Sequence, residues 1–304
     1  MESTQKIIVI IGPTASGKSD YAVKIAKKVK GEVISADSRQ VYCGMNLGTG
    51  KITKKEMSGV PHYLIDVVNP WNTFTVSHYK TIGRKIIKDI IKRGKTPIIC
   101  GGTGHYIEAL VEGLIIPEVK PDKKLRKSLE NKTTKELFLL LKKIDSKRAQ
   151  TIDRNNPRRL VRAIEIATNL GYVPEKRYDP LPYETIWIGI LKDAEILKKR
   201  IHIRLLSRIK KGMIKEIQNL HNGKVGRKVS WKKLDDFGLE YRYVSRYLRG
   251  LITKEEMLSQ LEKAIIDYSK RQNTWFKQNK AIHWINDYQE ISSYIKNPPQ
   301  TRRG

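Results

Sequence analysis

Gly12-Pro13-Thr14-Ala15-Ser16-Gly17-Lys18-Ser19 decides how the rest of the chain is read. The stretch fits the pattern G-x-x-x-x-G-K-[ST], and its surroundings are those the pattern needs. Ahead of it runs Ile7-Ile8-Val9-Ile10-Ile11, five β-branched residues expected to form a strand buried on both faces. Behind it, Ala22, Ile25, Ala26 and Val29 recur at helical spacing. In such a strand–loop–helix unit, the loop N–H groups and the helix N-terminus form a nest for phosphate oxygens. Lys18 adds a mobile positive charge, and the Ser19 hydroxyl can ligate Mg²⁺. The pattern does not say whose phosphates are held.

Two further strands end in chemically distinctive turns. Glu32-Val33-Ile34-Ser35 leads to Ala36-Asp37-Ser38-Arg39-Gln40, and Thr96-Pro97-Ile98-Ile99-Cys100 leads to Gly101-Gly102-Thr103-Gly104. Tyr63–Val68 reads as another strand, followed by a helix that buries Ile82, Ile86, Ile87, Ile90 and Ile91. Alternating strands and helices predict an open parallel α/β sheet, whose ligands bind outside the carboxyl ends of the strands. The loop, Asp37 and Thr103 all fall at such ends, so they are read as one site. Asp37 can there ligate Mg²⁺, accept a proton or simply cap the next helix. Thr103 offers a hydroxyl to a phosphate.

Beyond Pro117 the pattern changes. Residues 117–184 read as a helical insertion, with one helix opened by Asn156 at the N-cap and Pro157 at the first turn. Thr185–Leu191 returns as a strand, so residues 1–116 and 185–304 make up the P-loop core with C-terminal helices. Those later residues are mainly helical, with a polar loop over Asn222–Trp231 and a tail, Asn297–Gly304, expected to fray.

Sixty Lys and Arg against 31 Asp and Glu give the 304-residue chain a formal charge of +29. A polyanionic partner, nucleic acid first, is one reading, and a lysine-rich proteome is the other. Arg158 and Arg162 share one helix face, with Arg159 beside them, while Leu160 lies on the buried stripe opposite. Arg200, Arg204 and Arg208 recur at four-residue spacing, where like charges repel, so both stripes suggest phosphate partners or solvated faces. Lys270-Arg271-Gln272-Asn273-Thr274-Trp275-Phe276 mixes cations with aromatics, which suits backbone contact and base stacking on RNA, or core anchoring by the two rings. Cys43 and Cys100 provide neither a disulfide framework nor zinc spacing. No signal-peptide pattern and no apolar run of membrane-spanning length is found, so a cytoplasmic protein is expected.

Four blocks together resemble one family, the tRNA dimethylallyltransferases of bacterial type. They are Gly12–Ser19, Ser35-Ala36-Asp37-Ser38-Arg39-Gln40-Val41-Tyr42, Gly101-Gly102-Thr103-Gly104-His105-Tyr106-Ile107 and Asn156-Pro157-Arg158-Arg159-Leu160-Val161-Arg162-Ala163. Weaker echoes are Pro61–Asp66, Arg200–Arg204 and Lys270–Trp275, so the resemblance spans about residues 5–285. It implies a P-loop NTPase-like sheet with an inserted helical RNA-binding domain. The implied reaction moves a dimethylallyl group from dimethylallyl diphosphate to N6 of the adenosine adjacent to the anticodon, with Mg²⁺ on Ser19.

By the same resemblance, Asp37 accepts the amine proton, Thr103 sits between donor and nucleotide, and Arg204 binds diphosphate. Gly12, Pro13, Thr14, Ala15, Ser16, Gly17, Lys18 and Ser19 hold the donor. Ser38, Arg39 and Gln40 meet the flipped base. Arg126, Arg158, Arg159, Leu160, Val161, Arg162, Lys270, Arg271, Gln272, Trp275 and Lys277 grip the anticodon stem-loop. A monomer is expected. The segment Asp236–Arg242 departs from the family's usual Ile-Gly-Tyr-Lys/Arg-like run, which leaves its RNA contacts open, and the Cys/His finger of eukaryotic members has no counterpart. The rivals are a P-loop small-molecule kinase, an isopentenyltransferase acting on free adenylate, and an RNA-binding protein with a dead site.

Overall fold

The computed structural model describes residues 5–296; the tail Asn297–Gly304 lies outside them. Six strands, β1 (Lys6–Ile11), β2 (Gly31–Ala36), β3 (His62–Tyr63), β4 (Thr96–Gly101), β5 (Glu184–Ile190) and β6 (His283–Ile285), form one sheet in the order β3-β2-β4-β1-β5-β6. Every pairing is parallel. The β-branched run makes β1 the natural centre, because each of its faces meets a different apolar layer. Ile7, Val9 and Ile11 pack with Ile87 and Ile90 of the helix Val76–Lys92. Ile8 and Ile10 pack with Ala22, Ile25 and Ala26 of the helix Lys18–Val29.

Register then sets the site. Ile11 of β1 and Ala36 of β2 both pair with Gly101 of β4, so the three strands finish level. The turns beginning at Gly12, Asp37 and Gly102 therefore leave the sheet side by side. Gly101 permits this closeness, since a Cβ there would stand 2.2 Å from the Ala36 carbonyl oxygen. A second core, built from helices between Ala194 and Phe276, takes in Ala15, Val41 and Met45 and so packs beside these strand ends.

The predicted strand Tyr63–Val68 is corrected to the two residues of β3. Leu64 and Asp66 adopt positive φ of 60° and 55°, which bends the chain away from the sheet. The Asp66 and Val67 N–H groups instead bond to the carbonyls of Gln40 and Val41. In the helix Val76–Lys92, Ile87 and Ile90 are buried as expected, but Ile82 faces solvent.

The described residues divide into two compact units: one holds everything up to Gly113 and from Pro180 onward, the other is Leu114–Asp179. The switch falls a few residues from the boundaries suggested by sequence, because Leu181 N–H already bonds to Val111 O and Ile115 N–H to Arg177 O. The smaller unit has its own core of Leu129, Leu137, Leu141, Leu160 and Ile164. Asp122, Thr133, Asp145 and Asn156 cap its four helices. Among the described residues no helix is long and apolar enough to cross a membrane.

One buried carboxylate ties β2 to the next strand and helix. Glu32 accepts two hydrogen bonds from Arg93 (2.6 and 2.7 Å), one from Lys95 (2.8 Å) and one from the Tyr63 hydroxyl (2.7 Å). The Arg93 guanidinium above all draws its pKa down to about 2 from 4.5. A depressed acid stabilises the fold above its unfolded pKa and loses that contribution as pH falls through its folded value. Resistance to thermal unfolding should therefore weaken as pH falls from 4.5 to 2, by at most about 3 kcal/mol before solvent screening of Arg93 and Lys95. Glu32→Gln should flatten that slope; an unchanged slope would remove Glu32 from the acid response.

Candidate active site

The helix Lys18–Val29 begins at Gly17, whose φ of 92° turns the chain so that the loop N–H groups gather at the helix N-terminus. Ala15 also holds a positive φ of 64°, a strained conformation for a residue with a Cβ. Anchors from distant helices hold this loop. Thr14 N–H donates to Gln272 Oε1 at 2.8 Å, and Arg200 Nη1 lies 3.4 and 3.5 Å from the Ala15 and Ser16 carbonyl oxygens. Lys18 Nζ donates to Pro13 O at 3.2 Å. Burial pulls the Lys18 pKa below the ordinary lysine value, and Arg204 adds to this while Cys100 and Asp37 oppose it. Ser19 is exposed beside it.

Asp37 is both a cap and a cleft residue. Its Oδ1 accepts from the N–H groups of Arg39 (2.8 Å) and Gln40 (3.3 Å). Its Oδ2 has no hydrogen-bond partner among the described residues. Thr103 N–H bonds to Ala36 O, and its Oγ1 accepts from Ser38 N–H, both at 3.1 Å. Arg39 Nε donates to Phe237 O at 2.7 Å and its guanidinium lies over the Phe237 ring. Gln40 Nε2 reaches Gly50 O at 3.5 Å. Arg39 and Gln40 thus brace the walls of the cleft that they line.

That cleft, about 680 Å³, is lined by Lys18, Ser19 and Asp37 together with Gly48–Gly50, Phe237–Arg242, Tyr268 and three arginines of the helix Ala194–Lys210. The arginines share a face but have separate fates. Arg200 is spent on the loop carbonyls, and Arg208 pairs with Glu240 at 3.0 Å. Arg204 makes no hydrogen bond or ion pair with any described residue and stands in the cleft. Desolvation by the cleft walls, with Arg208 beside it, draws its pKa down to about 10. Like charges held at this spacing favour an anion between them.

Sequence reasoning missed several of these residues. Glu216 clamps the Asn46–Gly48 turn by accepting its three N–H groups at 2.7–3.0 Å, from about 170 residues away. Glu240 comes from the divergent segment, which forms a wall of the cleft; burial pushes its carboxyl up although Arg208 lies against it. Tyr268 lines the cleft beside Thr103; burial, with Asp37 nearby, pushes its pKa up to about 12. The Gly-Thr-Gly run at 48–50 was the one local signal that close backbone approach was needed there.

The other residues read as RNA-gripping divide by surroundings. Gln272 is buried and used at both ends, since its Nε2 also donates to Gly102 O at 2.8 Å. Trp275 packs on Gly104, whereas Lys270, Arg271 and Lys277 are exposed. In the smaller unit, Leu160 is fully buried and Val161 packs on the same core, so neither side chain faces outward as an RNA contact requires. Arg126 grips buried Glu165 through both oxygens (2.6 and 2.8 Å), and Arg162 bonds it at 3.0 Å. Burial alone would raise the Glu165 pKa, yet these two cations hold it below the usual range. Arg158 and Arg159 are exposed. Arg126→Ala should therefore destabilise residues 114–179 by about 2–4 kcal/mol, because it strips a buried carboxylate of its main partner. Hydrogen exchange across residues 122–170 should accelerate; unchanged protection there would make the pairing incidental.

The chain matches the family model described as IPP transferase over residues 40–279. It is 40% identical to the tRNA dimethylallyltransferase 2 of Trichlorobacter lovleyi over 290 residues, covering 93% of this chain and 92% of that protein. It is 39% identical to the tRNA dimethylallyltransferase of a Thermoanaerobacter species over 306 residues, with 96% of both chains covered. Among solved structures, it superposes on the full-length tRNA isopentenylpyrophosphate transferase of Bacillus halodurans with a TM-score of 0.71 at 34% identity, over 96% of both chains. A eukaryotic dimethylallyltransferase solved acting on tRNA gives a TM-score of 0.78 at 27% identity, over 97% of this chain and 77% of that one. With a family match over most of its length and relatives near 40% identity end to end, the chain belongs to the IPP transferase family, and its six-stranded parallel sheet is a P-loop NTPase-like fold.

Proposed function

We propose that this chain transfers a dimethylallyl group from dimethylallyl diphosphate to the N6 amine of the adenosine next to the anticodon in tRNA. What supports this most is that one cleft holds a phosphate loop together with a cation and a carboxylate oxygen that have no partner among the described residues. The loop N–H groups, Lys18 and Arg204 take the diphosphate and stabilise the charge it gains on leaving. The donor C–O bond breaks as the amine nitrogen bonds to the allylic carbon. The proton lost from N6 passes to Oδ2 of Asp37, while Oδ1 stays engaged with the Arg39 and Gln40 N–H groups. The adenine has to leave its stack to reach this position. The covering walls keep water from the electron-poor carbon.

Among the described residues no group of three His, Cys, Asp or Glu is placed to hold a metal. A Mg²⁺ carried in on the diphosphate, with the exposed Ser19 hydroxyl as its protein ligand, fits this donor set, and when bound it offsets diphosphate charge. Exposed Arg158, Arg159, Lys270, Arg271 and Lys277 supply contacts to tRNA phosphates. All of these groups come from one chain, so a monomer suffices.

Purified protein incubated with unmodified tRNA or AMP, and with dimethylallyl diphosphate or ATP, tests the reading by product mass. The expected product is a tRNA heavier by one five-carbon isoprenoid unit. Phosphoryl transfer from ATP to a small molecule, or prenylated AMP without prenylated tRNA, would replace this reading with a rival.

A further inference from the structure

The mechanism above leaves the hydroxyl of Tyr268, in the cleft with Asp37, unused. Tyr268 lies on the helix Lys254–Phe276, one turn before Gln272. Gln272 is fixed at both ends, to Thr14 N–H and Gly102 O, so the register of this helix over the strand ends is fixed as well. Residues four apart share a helix face, and Tyr268 is accordingly directed to the same strand ends as Gln272. There it lines the cleft with Asp37 and stands beside Thr103. The Arg271 guanidinium lies 5.8 Å from the centre of its ring.

Thr103 Oγ1 accepts from Ser38 N–H, which leaves its own hydroxyl hydrogen free to turn toward the neighbouring Tyr268 oxygen. The phenolic hydrogen is then left to point into the cleft. Burial holds this phenol protonated well beyond neutral pH, which keeps it a donor. Asp37 Oδ2, an acceptor, stands nearby. The site therefore offers a bound base an acceptor and a donor side by side.

Adenine matches that pair. Its N6 amine donates, and the ring nitrogens flanking it, N1 and N7, accept. Guanine presents a carbonyl in place of the amine and an N–H in place of the N1 acceptor, and uracil is likewise mismatched. We propose that Tyr268 is a specificity-determining residue: its phenolic O–H donates to a ring nitrogen flanking the acceptor amine, so that adenine is read at two adjacent points, N6 by Asp37 and the neighbouring nitrogen by Tyr268. This rests on the proposed function, since it requires adenine as the acceptor. A site built to hydrogen-bond a substrate group rejects analogues lacking it, because its own polar group is left unpaired.

The experiment is a cycle of protein and substrate changes. Wild type and Tyr268→Phe act on anticodon stem-loops carrying adenosine, 1-deazaadenosine or 7-deazaadenosine at the acceptor position, in single turnovers at saturating dimethylallyl diphosphate. Wild type should lose roughly tenfold in kcat/KM on one of the deaza substrates, the scale of one hydrogen bond. Tyr268→Phe should lose a similar factor on adenosine and nothing further on that same deaza substrate. Its KM for the donor and its unfolding temperature should stay at wild-type values, which a merely structural role would not predict. Additive losses on both deaza substrates, or a Tyr268→Phe rate equal to wild type on adenosine, would overturn the inference. The wild-type arms test it alone as well, since full activity on both deaza substrates would also overturn it. Absence of any transfer by wild type to adenosine would instead overturn the proposed function itself, and this inference with it.

Discussion

Asp37→Asn is expected to slow a single turnover by roughly 10²–10⁴, the range for loss of a general base, with tRNA affinity little changed. The geometry makes this substitution clean. Asparagine keeps an Oδ1 able to accept from the Arg39 and Gln40 N–H groups, at 2.8 and 3.3 Å in the native turn, so the β2 turn should hold its shape. What is lost is the negative charge on Oδ2 and its ability to take a proton. Rapid-quench transfer with enzyme in excess over tRNA, alongside a binding isotherm, separates the two effects. A rate within tenfold of wild type would remove Asp37 from the chemistry and leave it a turn cap.

The second large effect is expected from Lys18→Ala, with a loss of roughly 10²–10³ in kcat/KM for dimethylallyl diphosphate, the scale for removing one preorganised contact to a developing anion. The loop should survive, because Gln272 and Arg200 hold it independently of Lys18, whose side chain donates to Pro13 O. Burial lowers the Lys18 pKa, so its charge is lost at a lower pH than that of an ordinary lysine. Donor use by wild type should accordingly decline earlier on the alkaline side, and the alanine variant should lack that limb. Steady-state donor titrations from neutral to alkaline pH check both points. If wild type instead bound and hydrolysed ATP in preference to the prenyl donor, the loop would be serving a kinase.

The parts of this architecture legible in the sequence are those set by neighbours along the chain. Ile7–Ile11 could only be a central strand, and glycine at 12 and 17 with Lys18 and Ser19 makes a loop by local geometry. Asn156 with Pro157 opened its helix as read, the Asn side chain accepting from Arg159 N–H. Tyr63–Val68 misled because its apolar pattern suits a strand, while its backbone is held elsewhere by Gln40 and Val41. β6 is too short, at three residues, to leave a periodic trace. Nothing in the local sequence distinguishes Glu216, Glu165 and Glu240 from ordinary solvated helix acids. Their partners lie far away in sequence, and nothing in the spacing of charges reveals which carboxylate will be buried against which cation. The arginine stripe at 200, 204 and 208 was visible, but its division into a loop anchor, a cleft cation and a paired residue was not.

Gln272 was read as a residue facing RNA, and its position as a joint has a consequence for how this enzyme can diverge. One amide bridges the donor loop and the Gly102 turn, so neither can drift without the long helix, and the helix cannot turn about its axis without breaking both. The inward side of that helix is thereby frozen, while Lys270 and Lys277 are exposed to solvent. Changes among those outer cations alter how strongly a nucleic acid is held but leave the relative placement of loop, Asp37 and Thr103 as it was. A lineage can therefore retune itself to a new set of tRNAs by drifting on one side of a single helix, with the chemistry insulated on the other.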